Sequence, residues 1–167
     1  DVDNHILAYK PNVIVLQVGI VDCYPRSLKK VEQQILTRIP IVRNLSKYIV
    51  KKFYKQIVLA RNITYVKPST FQNNLVELKS KFPGVTWIVL PIAPANRSWQ
   101  IKNQLVKDNI QKYNSALKKI FGASYLEALY KFADVECLFL RDHHHLSSYG
   151  HDVVSDAVFS KLNEVLS

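Results

Sequence analysis

Three apolar stretches along the chain lack helical periodicity and read as strands. Val13-Ile14-Val15-Leu16-Gln17-Val18 is rich in β-branched residues, follows Lys10-Pro11-Asn12 and stops at Gly19, which predicts a strand buried on both faces. Thr86-Trp87-Ile88-Val89-Leu90 follows the turn pair Pro83-Gly84 and ends at Pro91, a second strand. Val135-Glu136-Cys137-Leu138-Phe139-Leu140 is a third, weakened by Glu136. Helical patterns lie between and after them. Leu45, Ile49, Phe53 and Ile57 repeat every four residues, with Arg43, Lys47, Lys51 and Lys55 on another row, predicting one amphipathic helix with a basic back. Leu105, Ile110, Tyr113, Leu117 and Ile120 predict a helix ending at Gly122, and Val153, Val154, Ala157, Val158, Leu162 and Val165 predict a last one over 148–166.

Strands that alternate with helices imply parallel βα units, so the expected class is α/β, a parallel sheet with helices on both faces. Ligands of such sheets bind beyond the carboxyl ends of the strands. Three loops meet that condition: Gly19-Ile20-Val21-Asp22, Pro91-Ile92-Ala93-Pro94, and Asp142 to His145.

The 167 residues, 48% of them hydrophobic, suit one domain with a sizeable core. No run approaches the ~18 apolar residues of a membrane span. Asp1-Val2-Asp3-Asn4 does not have the pattern of a basic and then apolar leader, and the chain has no Met. Cys23 and Cys137 sit in apolar segments, where a thiol serves as a small buried hydrophobe. A reducing, cytoplasmic setting is the expectation. Charge is uneven. Between Arg26 and Lys81 thirteen Lys/Arg face only Glu32 and Glu77, whereas the rest of the chain has ten basic and eleven acidic residues. The basic excess of +10 is thus regional and predicts an anionic partner for a helical elaboration at about 26–81.

Candidate chemistry gathers in Asp142-His143-His144-His145-Leu146-Ser147-Ser148-Tyr149-Gly150-His151. A carboxylate three residues before an imidazole can accept its Nδ1–H and leave Nε2 to take a proton from a hydroxyl. Two other readings stay open here, a helix-capping Asp142 beside a solvated histidine and a metal site on Asp142, His143, His144 and His145. Ser98, Ser147 and Ser148 lie near the same edge, but none stands in a Gly-x-Ser-x-Gly elbow. Asp22 and Arg26 are spaced for an ion pair, and Arg26, Arg97 and Trp99 are candidates to line a cleft.

Asp-x-x-His-Leu-Ser-x-x-Gly-His closely resembles the last conserved block of the SGNH (GDSL-type) hydrolases, and Gly19 to Asp22 is similar to their Gly-x-Asn-Asp block. The resemblance implies a three-layer flavodoxin-like sheet and a serine esterase without metal or organic cofactor. It also implies that His145 is the general base, that Asp142 orients it, and that the Gly19 N–H contributes to the oxyanion hole. Val21 stands where the family has an oxyanion-donating Asn, and a valine side chain cannot donate. The Gly-Asp-Ser nucleophile block has no counterpart in these residues, which implies a domain whose N-terminal part lies outside them. The implied substrate is a small-molecule or carbohydrate ester. The alternative is a noncatalytic SGNH-like module docking on an anionic glycan or membrane. The basic 43–55 helix is the candidate docking face. Nucleic acid is disfavoured, because Tyr48, Phe53 and Tyr54 fall on or near the apolar side of that helix. A flavodoxin-like nucleotide-binding domain is disfavoured too, since only four glycines are present.

Overall fold

The computed structural model describes residues 8–38, 40–142 and 145–167, without the side chains of residues 37, 40–43 and 47. The elements are β1 (Val13–Leu16), α1 (Ile20–Cys23), α2 (Lys30–Arg38), α3 (Pro40–Lys52), α4 (Tyr54–Arg61), α5 (Pro68–Ser80), β2 (Thr86–Val89), α6 (Arg97–Lys102), α7 (Val106–Phe121) and α8 (Ser148–Leu166). β1 and β2 pair in parallel, from Val13 opposite Thr86 to Leu16 opposite Val89. The Thr86 and Leu90 N–H groups donate to the Asn12 and Leu16 carbonyls at 3.0 and 2.9 Å.

The expected three-layer flavodoxin-like sheet with helices on both faces does not form. Helix predominates, and the sheet has two strands among the described residues. The third apolar stretch curls where Glu136 breaks it. The Asp134 carboxylate accepts the Glu136 N–H at 3.0 Å, and the Asp134 carbonyl accepts the Cys137 N–H at 3.0 Å. On the far edge of β2, Tyr125 forms a single parallel bridge to Val89, with the Leu126 N–H donating to the Val89 carbonyl at 2.9 Å. β1 has only one partner strand there, so Val15 is 46% exposed and the two-faced burial expected of this strand is not reached.

The core lies where α5 and α7 cover the sheet. Leu16, Phe71, Leu75, Trp87, Val89, Tyr113, Leu117 and Phe121 form one buried cluster, with Phe71 4.9 Å from Tyr113 and Trp87 5.1 Å from Phe121 between ring centroids. Such aromatic pairs add about 1 kcal/mol each beyond the area that they bury. α5 opens on Pro68, where a missing N–H costs nothing, and α7 closes at Gly122, whose φ of +55° suits a helix end. α7 also carries polar ties. The Asn109 side-chain amide donates to the Cys23 carbonyl at 3.0 Å, and that of Asn103, just before the helix, donates to the Pro25 carbonyl at 3.2 Å. Both asparagines are buried. They fix the loop that leaves β1 and α1, which frames the site.

Two expectations need correction. The row from Leu45 to Ile57 is not one helix but is divided at Phe53 between α3 and α4. Three of its four apolar members face outward, with Leu45 59%, Ile49 42% and Phe53 44% exposed, and Ile57 is half-buried. The Arg43 and Lys47 side chains lie outside the described residues. Cys23 is buried as expected, but Cys137 is exposed on the curled segment; both thiols are free. No helix among the described residues is long and apolar enough to cross a membrane.

Candidate active site

The segment 138–147 doubles back on itself. Phe139 and Leu146 form an antiparallel bridge, the Leu140 N–H donates to the His145 carbonyl at 2.8 Å, and the Ser147 N–H donates to the Leu138 carbonyl at 3.0 Å. Asp142 and His145 stand at the tip of this turn. The Asp142 carboxylate takes both faces of its partner: Oδ1 accepts the His145 N–H at 3.0 Å and Oδ2 lies 2.7 Å from Nδ1. The contact orients the ring, and in the neutral tautomer that donates Nδ1–H to Asp142 the lone pair is on Nε2. The His145 side chain is 79% exposed, so Nε2 is open to an incoming hydroxyl.

What caps α8 is Ser147, not Asp142. Its hydroxyl accepts the Gly150 N–H at 3.1 Å and donates to the Cys137 carbonyl. Gly150 is needed at this junction, because a Cβ there would sit 2.2 Å from the Leu138 carbonyl oxygen. Ser98 donates to Asn96 Oδ1 at 3.0 Å in the first turn of α6, and Ser148 is exposed at the start of α8. None of these three serines lines the cavity that holds His145.

That cavity, about 310 Å³, is where the expected loops meet. It is lined by Gln17, Val18 and Ile20 from the end of β1, by Pro91, Ile92 and Ala93 from the end of β2, and by Phe139, His145, Leu146 and His151. Two polar members, Gln17 and His151, escaped sequence reasoning as site residues. Gln17 is the one polar position in an otherwise apolar strand run, and His151 falls in the first turn of the helix that follows the dyad.

The other predicted residues sit as follows. Gly19, beside the cavity, has a φ of +100°, and a Cβ there would lie 2.7 Å from Ile92 Cδ1, so both conformation and space require glycine. Its carbonyl accepts the Cys23 N–H at 2.9 Å. Val21 projects from α1 and is 45% exposed. Asp22 is half-buried, and burial raises its carboxyl above the ordinary range. Arg26 makes no ion pair with it among the described residues. The Arg26 guanidinium instead lies 4.3 Å over the Tyr65 ring, and its backbone N–H donates to the Ile63 carbonyl at 2.7 Å. Val21, Asp22, Arg26, Arg97 and Trp99 are not among the residues that line the His145 cavity.

Comparison with protein-family models, curated proteins and solved structures finds no match to the chain. The site brings together a histidine ring oriented by a carboxylate and a cavity beyond two parallel strands, with Gly19 between two of the residues that line it, Val18 and Ile20. No group of three His, Cys, Asp or Glu suited to a metal is found among the described residues. The metal reading also rested on His143 and His144, which lie outside the described residues.

Proposed function

We propose that the chain carries the base of a serine ester hydrolase of SGNH type, acting on a small or carbohydrate-borne acyl ester. The observation that carries this reading is the 2.7 Å contact of His145 Nδ1 with Asp142, made beside a cavity at the strand ends. His145 Nε2 takes the proton of a serine hydroxyl as that oxygen attacks the ester carbonyl carbon. The protonated ring then gives the proton to the departing alcohol. Water, deprotonated by the same nitrogen, releases the carboxylic acid and restores the serine. Asp142 holds the ring and stabilises the imidazolium. The Gly19 N–H is an oxyanion donor on this reading, and the nucleophile is a serine hydroxyl other than those of Ser98, Ser147 and Ser148, which stand apart from the His145 cavity.

Val21 favours a second reading, a binding module that keeps the cavity without turnover. An exposed valine offers no donor where the resembling family places one, a loss of about 10²–10³ in rate. Assay of the intact gene product with a short-chain aryl ester and a fluorophosphonate label separates the two. Hydrolysis and labelling are expected, with His145→Ala and Asp142→Asn each lowering turnover by about 10³-fold or more. Turnover unchanged in His145→Ala rejects the assigned base. An unlabelled, inactive wild-type protein selects the binding module.

A further inference from the structure

Leu45, Tyr48 and Ile49 lie on α3, Phe53 follows its last residue, and all four are exposed. On α2, which packs against α3, Val31 and Ile35 lie one turn apart and are exposed as well. No described residue of either helix belongs to the buried core. Exposed cations accompany these apolar residues: Lys30 and Arg38 on α2, Lys51 and Lys52 on α3, and Lys55 at the start of α4. The Lys52 ammonium lies 5.9 Å from the Tyr48 ring centroid and 5.5 Å from that of Phe53, within cation–π reach of both. Glu32, the one acidic residue in α2, α3 and α4, is held by Arg61.

The charge selects the occupant. A second copy of this face would bring like charges together and is repelled. A hydrophilic polyanion would meet the lysines but bury none of Val31, Ile35, Leu45 and Ile49. A surface that offers anionic headgroups above an acyl boundary satisfies both kinds of residue. We propose that the α2–α3 face lies on an anionic lipid bilayer, with Leu45 and Ile49 at the acyl boundary and Lys51, Lys52 and Lys55 among the headgroups. This contact is interfacial and does not depend on the reading of Asp142 and His145.

The test is co-sedimentation of the full chain with vesicles of equimolar phosphatidylglycerol and phosphatidylcholine, and with phosphatidylcholine alone. Binding to the anionic vesicles only is expected, weakened by salt. Lys51→Gln/Lys52→Gln/Lys55→Gln should lower partitioning by about 100-fold, and Leu45→Ser/Ile49→Ser by about tenfold or more. Both variants should keep the wild-type circular dichroism and melting temperature, since the altered residues are exposed. Equal binding to neutral vesicles, or no binding to anionic ones, overturns the proposal. So does unchanged binding of the serine variant together with retention on heparin, which would assign the face to a glycan polyanion instead.

Discussion

Asn114 holds Ile92 by both of its backbone groups: Oδ1 accepts the Ile92 N–H at 2.7 Å and Nδ2 donates to the Ile92 carbonyl at 2.9 Å. One side chain of α7 thereby fixes the loop that follows β2 and supplies three residues to the His145 cavity.

Asn114→Ala should destabilise the chain by about 2 kcal/mol, because it leaves two partly buried backbone groups without partners. Urea unfolding gives the number, and a change below about 0.5 kcal/mol would show that water replaces the clamp. Asn114→Asp keeps the acceptor and should fall between the two. In an active preparation the alanine variant should raise KM more than it lowers kcat, since the loop shapes the cavity without touching the reacting atoms.

The two thiols should differ sharply toward an aromatic disulfide reagent. Burial pushes the Cys23 thiol up to about 12 and shields it completely, so it should not react in the native state. Cys137 is exposed but donates to Asp134 Oδ2 at 3.3 Å, and that carboxylate raises its thiol above the ordinary value. One thiol should react with the reagent in the native state, severalfold faster in Asp134→Asn. Two reactive thiols in the folded chain, or a slower Asp134→Asn, would contradict this arrangement.

Glu32 and Arg61 supply a pH-dependent tie between α2 and the end of α4. Arg61 donates to both carboxylate oxygens, at 2.9 and 2.5 Å, and lowers the Glu32 carboxyl from 4.5 to about 2. A depressed acid adds stability that is complete above its unfolded value and disappears as pH falls through the folded one. The melting temperature of wild type relative to Glu32→Gln should thus be constant above about pH 5 and converge between 4.5 and about 2. The pair is partly exposed, so salt should narrow the gap as well. A gap that widens in acid would mean that the carboxylate is not the stabilised form.

The strands β1 and β2, the end of α7 at Gly122 and the whole of α8 were legible because each rests on local signals, a β-branched run or an apolar row bounded by Gly, Pro or Ser. The third strand was not, since an apolar run ignores what its polar neighbours do: Asp134 and Glu136 take backbone N–H groups, and the segment turns. The outward-facing row on α3 was misread for a related reason. Period four shows that a helix has an apolar side, yet says nothing about what that side meets. The pairing of Asp142 with His145 could be read from spacing alone, because one short turn makes it. The asparagine ties of Asn103, Asn109 and Asn114 could not, since each joins residues far apart in sequence and looks like ordinary polar helix surface.

The doubled-back segment that bears Asp142 and His145 has a further consequence. Its shaping bonds, Leu140 to His145 and Ser147 to Leu138, close over very short stretches of chain, the kind of closure that forms fast and without help from distant contacts. Pairing and surroundings therefore have separate origins in this protein: the contact of Asp142 with His145 is made within a brief run of consecutive residues, whereas what the pair faces is set elsewhere, by α7 and its ties to two loops.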